Sequence, residues 1–278
     1  MKFTRLLFIM GASLAAAVGC SEEVSLDFHK EGNCWQMSQA QFDKFAKKLS
    51  KASPEEADAL IDRVYTIADS LSAAEQDGTF LDFADAMEHT FYQVDSPLRN
   101  DDLYLRVLDR ESRCNSLMST DYRRIDWKEH ILRANAVGSE VVDLPVSDIN
   151  GEETSLHRLL DEQTVLLVYG EDCKACTKLM NEAVNSSKFK KAAEDGQLRL
   201  LSLYIGEDGE EFAAKSAVLK NWANFIDARQ LVRYENAFDS RLVPSLYLIS
   251  DKKMVKVKGT LSVSEIEKAL DAPALYSA

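Results

Sequence analysis

Cys173-Lys174-Ala175-Cys176 is the stretch of this 278-residue chain whose residue types and spacing can do chemistry. Two thiols with two residues between them can pass a disulfide to or from another molecule. One sulfur attacks, and the other, one helical turn along, displaces it. The setting says more than the spacing. Thr164-Val165-Leu166-Leu167-Val168-Tyr169 just ahead is a continuous apolar, β-rich run that reads as a strand buried on both faces. A helix is expected from about Cys173 to Asn185. A thiol at a helix N-terminus faces unpaired backbone N–H groups and the positive end of the helix dipole, and both favour the thiolate. Cys173 is therefore the expected nucleophile and Cys176 the expected resolving thiol. Lys174 favours the thiolate while Glu171 and Asp172 oppose it, which leaves the direction of tuning open.

Zinc sites use the same spacing, but they need a second ligand pair. Cys34 and Cys114 are far apart in the chain, and His29, His89, His130 and His157 show no ligand spacing, so no metal is expected.

The elements that must position the cysteines alternate. Val141 to Val146 reads as a strand, Asn150-Gly151 as a tight turn, and Ser155 to Leu160 as one or two helical turns. Leu198–Ile205, Leu246–Ile249 and Met254–Lys258 read as further strands, and Ser264–Leu270 as a closing helix. A helix with Trp222 is expected near Glu211 to Phe225. Strands alternating with helices argue for an α/β domain with a mixed sheet.

Residues 38–136 have another texture. Ser38-Gln39-Ala40-Gln41 and Ser53-Pro54-Glu55-Glu56 resemble capping boxes, the second with Pro at the first helical position. Ala57, Leu60, Ile61, Val64, Ile67, Ala68 and Leu71 then recur at three- and four-residue steps, and Phe80, Phe83, Met87 and Phe91 repeat the pattern. This half is expected to be a small all-α domain.

The first residues carry an address. Met1-Lys2-Phe3-Thr4-Arg5 is a short basic start, and the apolar run from Leu6 to Val18 is too short for a permanent membrane span. Ala16-Ala17-Val18-Gly19-Cys20 resembles the lipobox of bacterial lipoproteins, which implies cleavage after residue 19 and acylation of Cys20. The expected layout is a signal peptide over 1–19, a tether and lead-in over 20–37, the helical domain over 38–136 and the sheet domain over 138–274. Ser21-Glu22-Glu23 resembles a surface-export tag and equally suits a periplasmic tether, so the address is the cell envelope, at the outer membrane, with either face open.

Outside the cytoplasm disulfides persist. With Cys20 taken by lipid, Cys34 and Cys114 either form a structural disulfide or remain two buried thiols. Hydrophobic residues make up 46% of the chain and charged residues 28%, which excludes disorder and low-complexity repeats. A net charge of −13 repels phosphate backbones, which excludes nucleic acid as a partner.

The strand–CxxC–helix unit, the hairpin at Asn150-Gly151, and Val243-Pro244 just ahead of Ser245-Leu246-Tyr247-Leu248 together resemble the thioredoxin-like superfamily, in its membrane-anchored TlpA-type branch. The resemblance covers roughly Gly138 to Ala274. It implies that Pro244 is cis and lies beside the cysteines, that its loop offers backbone groups to a substrate chain, and that Val243 faces that substrate. A helical segment before such a domain is similar to thioredoxin-like lipoproteins of gut commensals, where it has no assigned function. The chain departs from the family in several places. Asp172 replaces the usual Trp, Lys174-Ala175 replaces the usual Gly-Pro, and Leu167 stands where thioredoxin has a buried Asp.

The resemblance implies a membrane-anchored thiol–disulfide oxidoreductase whose only redox group is its own disulfide. Its partners are exported proteins carrying thiols or disulfides, together with a membrane thiol electron donor or acceptor. The alternative is a surface binding module on a thioredoxin scaffold whose redox activity is vestigial.

Overall fold

The computed structural model describes residues 26–31, 34–75 and 78–271. The leader, Cys20 and the last residues of the chain therefore lie outside the described residues, as does the side chain of Cys34.

The described chain opens with a two-stranded antiparallel hairpin, β1 (Phe28–Glu31) and β2 (Cys34–Met37). It lies in the stretch read from the sequence as a tether and lead-in. The hairpin forms because it has a surface to cover: the Phe28 ring lies 6.0 Å from that of Phe83, and the Trp35 N–H donates to Thr79 Oγ1 at 2.9 Å. Five helices follow, α1 (Gln39–Leu49), α2 (Pro54–Glu75), α3 (Thr79–Phe91), α4 (Asp101–Glu111) and α5 (Ser119–Arg133).

Both capping boxes are present. Ser38 and Gln41 exchange side-chain-to-backbone bonds at the start of α1. Ser53 N–H donates to Glu56 Oε2 at 3.0 Å, and Glu56 N–H donates to Ser53 Oγ at 3.3 Å, ahead of α2. The apolar stripes meet in one aromatic core, where Phe83 sits edge-on to Phe42 and Tyr65 with ring centroids 5.9 and 5.3 Å apart.

The second half is a seven-stranded mixed sheet in the order β4-β3-β7-β6-β5-β8-β9. In chain order its elements are β3 (Pro145–Ser147), β4 (Glu153–Ser155), β5 (Thr164–Tyr169), α6 (Lys174–Asn185), α7 (Ser187–Glu194), β6 (Arg199–Tyr204), α8 (Gly209–Val218), β7 (Ala223–Ile226), α9 (Leu231–Tyr234), β8 (Ser245–Ile249), β9 (Val255–Thr260) and α10 (Val263–Asp271). β5, β6 and β7 run parallel, while β8 pairs antiparallel with both β5 and β9. β5 is central, and its side chains divide by the period of two. Val165, Leu167 and Tyr169 enter the core shared with α6, α7, α8 and α10. Leu166 and Val168 enter the opposite core with Leu156, Val232 and Phe238.

Two sequence expectations in this half are corrected. The helix expected to reach Phe225 stops at Val218, and Ala223–Ile226 is strand β7. Leu219, Trp222 and Phe225 have helical spacing, but β6 and β3 would otherwise face each other across an unfilled gap. β7 pairs with both and satisfies their backbone groups. Val141 to Val146 contributes strand only from Pro145; upstream, Val141 N–H bonds Lys253 O at 2.8 Å and Glu140 forms an isolated bridge to Met254. α7 forms a separate helix because Ser186 caps it, accepting from Phe189 N–H at 3.0 Å.

Candidate functional site

β5 ends at Tyr169, and four residues later Cys173 caps α6 with extended backbone (φ −108°, ψ 99°). Its Sγ accepts the backbone N–H of Cys176 at 3.0 Å, so the cysteine takes the place of the usual hydroxyl or carboxylate cap. Cys173 and Cys176 form a disulfide with their Cα atoms 5.1 Å apart. The two sulfurs differ in access: Cys176 is 0% exposed, packed with Leu179 and Met180, whereas Cys173 is half-buried at the rim of the same core. A reactant from solution reaches Cys173 first.

The turn that delivers Cys173 is held from α8. Asp172 adopts a left-handed conformation (φ 46°), which Asp tolerates better than most residues, and its N–H points at the Glu211 carboxylate at 3.2 Å. Lys215 Nζ donates to Gly170 O at 2.7 Å and pairs with Glu211 one turn back. The same ammonium lies 5.8 and 5.9 Å from the ring centroids of Tyr169 and Tyr204. Glu171 accepts the N–H of Glu207 at 3.2 Å. Gly206 is required beneath this turn, since a Cβ there would fall 2.4 Å from Tyr204 Oη. Burial, reinforced by Glu211, pushes the Tyr204 phenol well above its usual range.

Of the residues expected to tune the thiols, Glu171 and Asp172 are thus engaged in building the turn, and Lys174 is exposed on the first turn of α6. Glu211 and Lys215 were missed. Their sequence signal is an i,i+4 Glu–Lys pair, which on most helices is a solvated surface pair.

The Val243–Pro244 peptide is cis. Pro244 is buried and Val243 half-buried, and a Cβ on Gly170 would lie 3.6 Å from Val243 Cγ1. The cis-proline loop therefore packs against the end of β5, where the chain turns towards Cys173. Leu167 is fully buried in β5 and offers no proton acceptor beneath the disulfide.

Cys114 is a free, buried thiol, so the structural disulfide considered for it with Cys34 is not formed. Its sulfur accepts from Arg110 Nη1 at 2.9 Å, and burial pushes the thiol up to about 11.

The chain is similar to a crystal structure of a thioredoxin-like protein from Bacteroides caccae, with a TM-score of 0.73 at 21% identity over 83% of this chain and 82% of that one. The C-terminal half is a thioredoxin-like fold. The chain also matches a conserved protein of unknown function from Bacteroides fragilis, at 27% identity and a TM-score of 0.45 over 48% of this chain and 98% of that one. A thioredoxin domain of a thiol-disulfide oxidoreductase from Bacteroides vulgatus matches at 16% identity and a TM-score of 0.39, over 48% of this chain and 96% of that one. Residues 30–135, ahead of the thioredoxin-like domain, match a family model described as a domain of unknown function, DUF5106. No curated protein matches the chain.

Proposed function

We propose that this protein is a thiol–disulfide oxidoreductase, anchored in the cell envelope through Cys20, that acts on disulfides or dithiols of other exported proteins. The observation that carries the reading is the Cys173–Cys176 disulfide at the start of α6, with one sulfur accessible and the other enclosed. In the reducing direction, the Cys173 thiolate attacks one sulfur of a substrate disulfide. A mixed disulfide forms, and the other substrate sulfur leaves as a thiolate that takes up a proton. Cys176 then loses its proton and attacks Cys173 Sγ, which expels the second substrate thiolate. The substrate gains two electrons and two protons, and the protein ends as its own disulfide. The oxidising direction is the reverse.

The N–H of Cys176 and the α6 N-terminus stabilise negative charge on Cys173 in either direction. Val243 and the cis-proline loop offer backbone to the substrate chain beside the turn. No cofactor is required beyond the two thiols. The lipid on Cys20 keeps the protein at the outer membrane, where a membrane thiol partner resets it.

A redox titration of the mature protein with Cys20 replaced tests this. After equilibration in defined thiol/disulfide buffers and alkylation, Cys173 and Cys176 are read by peptide mass. A reversible two-electron transition is expected, and a midpoint near −270 mV marks a reductant whereas one near −120 mV marks an oxidant, both figures being roughly those of known enzymes. A pair that stays in one state across all buffers would leave only a binding module on a thioredoxin-like scaffold.

A further inference from the structure

We propose that Arg241 is a positioning residue for the exchange described above, on which this inference rests, and that the helical half uses it to set the cis-proline loop for protein substrates. The chain from α9 to Pro244 is gripped by residues outside the sheet domain at three places. His130 Nε2 on α5 lies 3.1 Å from Glu235 O. Asn135, buried just past α5, donates from Nδ2 to Ala237 O at 2.8 Å while its Oδ1 accepts from Val142 N–H at 2.7 Å. At the third, Arg241 reaches Tyr92 at the C-terminal end of α3. Its guanidinium carbon stands 3.6 Å from the centroid of the Tyr92 ring, and its Nη1 donates to Tyr92 O at 3.2 Å.

Arg241 is fixed from its other side as well. Nε and Nη2 fork onto Asp239 at 2.9 and 2.6 Å, and that carboxylate is 0% exposed. Asp239 Oδ1 also accepts Arg241 N–H at 3.1 Å, closing the 3-10 turn Ser240–Leu242 that runs directly into Val243–Pro244. Leu242 packs onto Gly259, where a Cβ would fall 2.7 Å from its Cδ1. The neighbouring Lys258 donates to Leu132 O of α5 at 2.6 Å and lies 3.6 Å from Asp101 of α4. The turn before the cis-proline is thus braced through both β9 and Tyr92. Tyr92 is seated in turn against Tyr104, with centroids 5.0 Å apart, and under Lys128 Nζ at 5.5 Å. Tyr92 Oη has no hydrogen-bond partner, so the ring face and the backbone carbonyl hold Arg241.

Docking two domains for stability alone calls for apolar contact, because a buried guanidinium–carboxylate pair has to overcome the desolvation of both charges. A planar fork stacked on a ring instead fixes direction. Here it fixes the peptide units that lead into Pro244. A protein substrate needs those units to pair with its own backbone, whereas a small aromatic disulfide needs only the sulfur of Cys173.

The test is single-turnover exchange by the reduced mature chain carrying Cys20→Ser, with two oxidants: a disulfide-bridged peptide and dithionitrobenzoate. Tyr92→Leu removes the ring and leaves the Arg241–Asp239 pair intact. Should that variant fail to fold, the double variant Asp239→Asn/Arg241→Met removes the latch without stranding a buried charge. The expected result is a loss of about tenfold in the rate constant with the peptide, against less than about twofold with dithionitrobenzoate, and recovery of the peptide rate in Tyr92→Phe. The Cys173–Cys176 midpoint potential stays at its wild-type value. Equal losses with both oxidants, no loss with either, or a Tyr92→Phe variant as slow as Tyr92→Leu would overturn the proposal. A wild-type protein that reacts with neither oxidant would instead overturn the redox reading, and it is distinguished by the failure occurring before any substitution.

Discussion

The backbone N–H of Cys176 points at the sulfur of Cys173 from 3.0 Å, so the residue proposed to resolve would also support the charge on the one proposed to attack. That bond survives replacement of the Cys176 side chain, because it belongs to the backbone. Cys176→Ser is therefore expected to attack substrate disulfides and stall as a mixed disulfide, visible as a covalent adduct by mass. Cys173→Ser removes the accessible sulfur and is expected to form no adduct. Adducts of equal yield from both variants would contradict the assignment of roles.

Lys215 ties α8 to the turn that carries Cys173, through Gly170 O and Glu211. It is 13% exposed at its side chain, so its removal leaves a carbonyl and a carboxylate short of a partner away from bulk water. Lys215→Met is expected to lower stability by about 1–3 kcal/mol, as read from denaturant midpoints, with the larger relative effect on exchange by Cys173. An unchanged midpoint and unchanged exchange would show that the turn holds without α8.

Glu111 lies 4% exposed in the helical half. Burial pushes its carboxyl up to about 7, although the Tyr65 hydroxyl donates to it at 2.6 Å and Lys128 is nearby. The unfolded carboxyl titrates near 4.5, so between there and 7 the folded protein keeps a proton that the unfolded chain has lost. This contribution to stability is fully present below pH 4.5 and declines as pH rises towards 7, by on the order of 3 kcal/mol. Denaturant midpoints measured at pH 5 and pH 8 are expected to differ in that direction in the wild type and to converge in Glu111→Gln.

Cys114 is free and 2% exposed, with its thiol held in the neutral form by burial. Native protein is expected to leave it unmodified by iodoacetamide at pH 8, and denaturant alone, without reductant, is expected to make it react. A Cys114 that alkylates only after reduction would restore the disulfide that the fold does not form.

Much of the fold follows from local chemistry. The Ser38 and Ser53 boxes start helices through bonds that span three residues, and β5, apolar after Thr164, is buried at every position because both of its faces are covered. Cys173 caps α6 for the same kind of reason, so the placement of the cysteine pair at a helix start was legible from its neighbours alone. β7 was not. Leu219, Trp222 and Phe225 carry helical spacing across its start, and only the open edges of β6 and β3 make Ala223–Ile226 a strand. The β1–β2 hairpin likewise depends on Phe83 and Thr79, which lie far along the chain.

The helical stripes, the buried central strand, the cysteine pair at a helix start and the proline ahead of β8 are written in the chain, because each rests on periodicity or on bonds between near neighbours. Tertiary structure alone decided which groups surround the pair. Glu211 and Lys215 meet the cysteine turn across some forty residues, and Arg241 meets Tyr92 across 149. Contacts at such separations leave no period and no spacing to read. They arise when packing brings two surfaces together, and here they join the helical half to the cis-proline loop.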